Sequence, residues 1–395
     1  MSKKLKVMTI IGTRPEAIKM FPVIREMERY PEKIKPFVVL TGQHTGMLKQ
    51  MHTFFKIKED YNLNIMSYGQ DLFTVSSRII SRFKKVLERF KPDLLLVQGD
   101  TTTVFISALS AFYLKIPVAH IEAGLRSFNK YQPFPEEINR RLTSSLSDLH
   151  FAPTVKDKNN LVREGVSPEN IFVTGNTVVD AVSMVLEKET NAGGGLLKRL
   201  NFRPPLNPIL TKEGKGEVVD KNIILVTAHR RENFGKPLQN ICKALKIIAK
   251  RYPEYRVIYP VHPNPNVRNT VYSELKDISG ISLTRPLSYG DFIHLMKISS
   301  LILTDSGGIQ EEACVLGKPV LILRDVTERP GVIDAGIGRI IGSKTEDIIA
   351  ETSKLIKKFN SNKSKIQNLK SKVQKPFGDG RAGERIVKVI LKRLG

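Results

Sequence analysis

Leu301-Ile302-Leu303-Thr304-Asp305-Ser306-Gly307-Gly308-Ile309-Gln310-Glu311-Glu312-Ala313 reads as a buried strand that runs into a glycine turn and then a helix. Glycines let a backbone approach a ligand closely, and the first helical turn offers unpaired N–H groups and the positive end of the helix dipole. The stretch is a candidate phosphate seat, with Glu312 one turn in to grip ribose hydroxyls. An ordinary glycine-containing βα turn has the same composition, so the reading depends on what surrounds it.

Short β-branched runs alternate with longer amphipathic stretches on both sides. Lys6 to Ile11, Pro36 to Leu40, Leu94 to Gln98, Val118 to Ile121, Leu149 to Ala152 and Ile171 to Val173 read as strands, with helical spacing over Ala17 to Met27 and Ser76 to Phe90. The rhythm restarts at Ile223 to Val226, Arg256 to Tyr259, Leu301 to Leu303, Val320 to Leu323 and Arg339 to Ile341. This alternation predicts an α/β chain with two doubly wound parallel sheets. Its 395 residues, 41% hydrophobic, suit two domains. We place a Rossmann-like domain over 1–175, a second over 176–378, and a C-terminal helix over about 379–395 that returns to the first. Gly193-Gly194-Gly195, Pro204-Pro205 and Lys212 to Lys215 mark 191–221 as an exposed insertion.

The formal charge of +24 raises nucleic-acid binding. The lysines are spread over helical surfaces, with denser groups at Lys84-Lys85 and from Lys354 to Lys375, and no nucleic-acid reader motif accompanies them. General solvation and steering of a small anionic substrate fit better. The run Val7 to Ile11, stopped by Gly12 and Arg14, is too short for an export signal, and no later run can span a bilayer. Cys242 and Cys314 have neither metal-ligand nor disulfide-framework spacing. A soluble, cytoplasmic protein without membrane insertion is expected.

Five further segments carry chemistry. Gly12-Thr13-Arg14-Pro15-Glu16-Ala17-Ile18-Lys19 puts an arginine in a strand-to-helix loop and a lysine one turn later, both suited to one diphosphate; a solvated helix start has the same look. Gln98-Gly99-Asp100-Thr101 and His120-Ile121-Glu122-Ala123 bring two carboxylates to the carboxyl edge of neighbouring strands, where open parallel sheets bind ligands. By itself Asp100 reads first as a helix N-cap, the commonest use of Asp before a helix, whereas a Glu at the end of a buried strand needs a partner or a function. Pro135-Glu136-Glu137-Ile138-Asn139-Arg140 starts a helix with two acids that complement its dipole, and Arg140 can pair with Glu136. Val226-Thr227-Ala228-His229-Arg230-Arg231 places a histidine at a strand end beside two arginines, which suits an acid or base working next to phosphate.

Together with Thr174-Gly175-Asn176-Thr177, His229 to Asn233, and Pro376-Phe377-Gly378-Asp379-Gly380, these segments closely resemble the non-hydrolysing UDP-N-acetylglucosamine 2-epimerases over almost the whole chain. The resemblance implies the GT-B architecture, two Rossmann-like domains facing across a cleft. It implies a UDP-sugar substrate, no cofactor, no metal and a homodimer. It further implies Ser306, Gly307 and Gly308 on phosphate, Glu312 on ribose, Phe292 by the uracil, Arg14, Lys19 and His229 on the diphosphate, and Arg140 among the substrate-binding residues. Asp100, Glu122, Glu136 and His229 match catalytic positions. The implied route eliminates UDP across C1 and C2 to a 2-acetamidoglucal and adds it back with inversion at C2, feeding surface polysaccharide synthesis. Hydrolysing epimerisation and GT-B glycosyl transfer are the competing activities.

Two departures stand out. The resemblance implies a second site, common among bacterial members, where substrate activates the enzyme, lined partly by a Gln-His-Arg segment and an arginine near position 69. This chain has Gln43-His44-Thr45-Gly46 and Tyr68-Gly69-Gln70, although Gln43, Glu136, Arg230 and His262 match other second-site positions. Altered activation is expected. Val326-Thr327-Glu328-Arg329-Pro330-Gly331 also replaces the usual last acid of its loop by glycine.

Overall fold

The computed structural model describes residues 3–42, 56–65, 70–188, 222–361 and 376–395. The 191–221 insertion and Gln43 to Gly46 lie outside them. The chain divides into two compact units, 1–183 with 377–395, and 184–376.

In the first unit the strands are β1 (Leu5–Ile11), β2 (Ile34–Leu40), β3 (Tyr61–Asn62), β4 (Leu94–Gln98), β5 (Val118–Ile121), β6 (Leu149–Ala152) and β7 (Ile171–Val173). The helices are α1 (Arg14–Met27), α2 (Leu72–Phe90), α3 (Thr102–Tyr113), α4 (Glu136–Leu146), α5 (Val155–Arg163) and α6 (Thr177–Lys188), the last crossing the boundary between units. All strand pairs are parallel, in the order β3-β2-β1-β4-β5-β6-β7. Leu94 to Val97 are buried on both sheet faces, which explains a continuous apolar run in place of alternation.

The second unit has β8 (Ile223–Thr227), β9 (Arg256–Pro260), β10 (Ile281–Thr284), β11 (Leu301–Thr304), β12 (Val320–Ile322) and β13 (Gly338–Ile340). Its helices are α7 (Lys236–Arg251), α8 (Pro265–Leu275), α9 (Tyr289–Ile298), α10 (Gly307–Val315), α11 (Pro330–Asp334) and α12 (Thr345–Ser361). This sheet is also parallel, ordered β10-β9-β8-β11-β12-β13. Its core joins Ile224, Val226, Leu301 and Leu303 to Ile241, Leu245 and Ile248 of α7.

Two edge strands, β3 and β10, lie beyond the set expected from the sequence. β3 has two residues, and every residue of β10 is only half-buried, so neither shows an apolar run. Helices α1 and α2 begin before their apolar periodicity, α1 through Pro15 in its first turn and α2 through Asp71, whose carboxylate accepts from Thr74 N at 2.7 Å.

The last helix, α13 (Ala382–Leu394), belongs to the first unit and packs on α1. It buries Ile386, Val387 and Ile390, and Asp180 of α6 accepts its first amides, Ala382 N at 3.2 Å and Gly383 N at 2.9 Å. Burial pushes the Asp180 carboxyl up to about 6. Gly383 lies so close to α1 that a Cβ there would stand 3.1 Å from the Pro22 carbonyl oxygen.

Each sheet reverses its winding once, between β1 and β4 and between β8 and β11. Such a reversal opens a crevice beyond the carboxyl ends of the two strands, the usual ligand position in this class of sheet.

Candidate functional site

Beyond β1, β4 and β5 of the first unit, polar side chains form two hydrogen-bonded groups, one around Glu122 and one around Asp100. Glu122 follows β5 with φ +65°, a left-handed conformation that costs a side-chain-bearing residue roughly 1–2 kcal/mol. Its carboxylate is buried and accepts from Lys19 Nζ at 2.6 Å, from Gln98 Nε2, and from Asn176 Nδ2 at 3.4 Å. Lys19 itself is buried in α1, so the charges form a dry ion pair rather than a solvated one.

Asp100 sits in the turn after β4. Its Oδ2 accepts both Nε (2.9 Å) and Nη2 (2.6 Å) of Arg140, leaving Oδ1 outside that fork. Arg140 also donates to Glu137 at 3.0 Å, and Asn139 Nδ2 holds the Asp100 carbonyl at 2.9 Å. The two acids at the start of α4 therefore differ. Buried Glu137 accepts Ser127 N at 2.9 Å and Phe128 N at 3.1 Å, fixing the preceding loop, while Glu136 is half-buried at the first helical position. Arg14, the first residue of α1, is also half-buried.

His120 enters the sequence reading only as a neighbour of Glu122. Its Nε2 lies 2.7 Å from the Gly99 carbonyl oxygen, and burial lowers its pKa to about 4. The ring is neutral at pH 7 and donates to that carbonyl, bracing the turn that bears Asp100. Glu16 likewise enters only as part of a motif. It is buried and bonded to Gly12, Thr13 and Thr101.

In the second unit, β11 is followed by Asp305, which is fully buried. Its Oδ2 accepts His229 N (2.8 Å), Arg230 N (2.8 Å) and Asn233 Nδ2 (2.9 Å), clamping the loop after β8 to the start of the glycine turn. Tyr259 donates to Ala228 O at 2.8 Å just ahead of His229. The His229 ring stacks on His262, centroids 5.0 Å apart and planes 12° from parallel. Desolvation lowers the His229 pKa against the raising effect of Asp305, favouring the neutral ring.

Ser306 caps α10 and Gly307 and Gly308 are its first residues; the Ser306 side chain makes no capping bond, so the first-turn amides are not consumed by the helix's own cap. Around Gly308 there is open space, whereas a Cβ on Gly307 would meet Glu328 Oε1 at 2.8 Å. Glu328 is held by buried Arg324 (2.8 Å), which also bonds Glu232 at 2.5 Å. Glu328 thus backs the turn. Glu312 is buried on α10, and Phe292 is half-buried on α9.

Each unit thus offers its own chemistry. The first holds carboxylates and cations in a mostly dry cluster at its reversal point, suited to moving protons. The second offers amides, a neutral imidazole and a buried carboxylate behind them, suited to a nucleotide diphosphate. Among the described residues no group of three His, Cys, Asp or Glu side chains is arranged to hold a metal ion, and no helix is long and apolar enough to cross a membrane.

The family model for UDP-N-acetylglucosamine 2-epimerase matches residues 25–391. A UDP-N-acetylglucosamine 2-epimerase of Campylobacter jejuni is 46% identical over 389 residues, covering 98% of this chain and 97% of the relative. The crystal structure of the Neisseria meningitidis enzyme bound to UDP-GlcNAc superposes with a TM-score of 0.90 at 45% identity, covering 98% of this chain and all of that one. The glycotransferase of kitacinnamycin, 10% identical with a TM-score of 0.60, shares the fold alone, in keeping with a GT-B type of chain. On the strength of the near-full-length match and the identities, the chain belongs to the UDP-N-acetylglucosamine 2-epimerase family.

Proposed function

We propose that the protein interconverts UDP-N-acetylglucosamine and UDP-N-acetylmannosamine without hydrolysis. The buried Lys19–Glu122 pair carries this reading, because it keeps a carboxylate in a water-poor place at the end of the strand next to the one that Asp100 follows. In the forward direction the C1–O bond to UDP breaks as the C2 hydrogen leaves as a proton, giving 2-acetamidoglucal and UDP. In the return a proton reaches C2 from the other face while a UDP oxygen rejoins C1. Two faces call for two proton-handling groups, which we assign among Asp100, Glu122 and Glu136, with Arg14, Lys19 and His229 stabilising the departing diphosphate. The second unit takes UDP, with Ser306, Gly307 and Gly308 on phosphate, Glu312 on ribose and Phe292 by the base. The product serves surface polysaccharide synthesis.

Incubation with UDP-N-acetylglucosamine in deuterated water tests the reading. Deuterium at C2 of UDP-N-acetylmannosamine supports it. Free N-acetylmannosamine with UDP would make the enzyme a hydrolysing epimerase, and unchanged substrate would overturn the assignment.

A further inference from the structure

Glu16 has an environment that a helix-capping glutamate does not need. Thr13 and Glu16 form a capping box, normally a surface device worth about 1 kcal/mol. Here the carboxylate is buried, and it reaches beyond its own helix. Oε2 accepts Gly12 N at 2.6 Å and Thr13 N at 3.3 Å, while Oε1 accepts the Thr101 hydroxyl at 2.8 Å. Thr101 in turn caps α3 through Val104 N at 3.3 Å. The carboxylate therefore spans the reversal point between β1 and β4. Gly12 reinforces the contact, since a Cβ there would stand 2.6 Å from Thr103 Oγ1. Burial pushes the Glu16 carboxyl up to about 7, a cost that a cap alone would not justify.

Arg14 lies two residues after Gly12, Lys19 one turn after Glu16, and Asp100 immediately before Thr101. We propose that Glu16 is a positioning residue, a strut that sets the Arg14 loop and the Asp100 turn at a fixed separation so that both meet one substrate. The proposal rests on the epimerase reading for its chemistry, but its geometry can be tested apart from it.

The test uses Glu16→Ala, Glu16→Gln and Thr101→Val in the full-length protein. Glu16→Ala should lower kcat about 10- to 100-fold and raise KM, because both ends of the strut are released. Thr101→Val should lower kcat with little change in KM, and the double variant should be no worse than Glu16→Ala. Glu16→Gln should recover most of the loss, since its amide oxygen accepts the two backbone amides and its nitrogen donates to Thr101 Oγ1. Independent, multiplying effects or a Glu16→Ala variant with wild-type kcat would overturn the strut. Wild-type turnover in the same assay judges the epimerase reading separately. Hydrogen exchange provides a readout independent of any reaction: Glu16→Ala should speed exchange in both 9–14 and 100–105, and acceleration confined to 9–14 would reduce Glu16 to a helix cap.

Discussion

Lys19 Nζ lies 2.6 Å from Glu122 Oε1, with both side chains almost wholly withdrawn from solvent. Removing one charge strands the other. Glu122→Gln should cost about 3–5 kcal/mol of stability and lower turnover of UDP-N-acetylglucosamine roughly 10²- to 10⁴-fold. Adding Lys19→Met should restore much of the stability and none of the activity. Denaturant titrations and product NMR on the two variants separate a structural ion pair from a working one: recovery of turnover in the double variant would sink the catalytic assignment.

The two glycines that open α10 should behave differently. Gly308 faces open space, so Gly308→Ala should leave the melting temperature within a degree or two while weakening UDP binding about tenfold or more, because only a ligand would meet the added methyl. Gly307→Ala should lower the melting temperature as well, since it presses on Glu328. Calorimetric titration with UDP alongside thermal melts checks both. Unchanged UDP affinity in Gly308→Ala would place the phosphates elsewhere.

His150 on β6 pairs in register with His120, and burial lowers its pKa from 6.5 to about 4. The unfolded chain therefore binds a proton that the native chain refuses. The stabilisation is complete above pH 6.5 and declines as pH falls toward 4. Relative to wild type, His150→Asn should remove up to about 1.4 kcal/mol of stability change per pH unit in that window. Unfolding curves at half-unit intervals from pH 4.5 to 7 would show the difference, and parallel profiles would refute it.

Thr45, Gly46 and Gly69, in segments outside those described by the structure, are the positions from which the sequence resemblance leads us to expect altered substrate activation. Hyperbolic dependence of the reverse reaction on UDP-N-acetylmannosamine, with no added activator, is the expected behaviour. An absolute requirement for UDP-N-acetylglucosamine would contradict it.

The parallel sheets are legible because burial on both faces writes a strand as an apolar run, and β4 to β7 match their expected bounds to the residue. The edge strands β3 and β10 leave no such imprint. Among the candidate groups, Glu122 is legible from the difficulty of burying a carboxylate at a strand end. The sequence suggests Glu136 as a partner of Arg140, and the structure adds Glu137, three positions away, and Asp100, forty positions away, the last a partner that spacing within the helix does not announce. Glu16 escapes notice as a separate element although Thr13-Arg14-Pro15-Glu16 has the capping-box spacing; the spacing announces a cap, and nothing in it announces Thr101.

The docking of α13 on α1 has a consequence for synthesis. The helix that bears Lys19 stays uncovered on the Pro22 side until residues 382–394 have left the ribosome, so the first unit waits while the whole second unit is translated. Its maturation is therefore tied to synthesis of residues 382–394, and a ribosome that stalls within the second unit leaves behind an amino-terminal half with an apolar face still open.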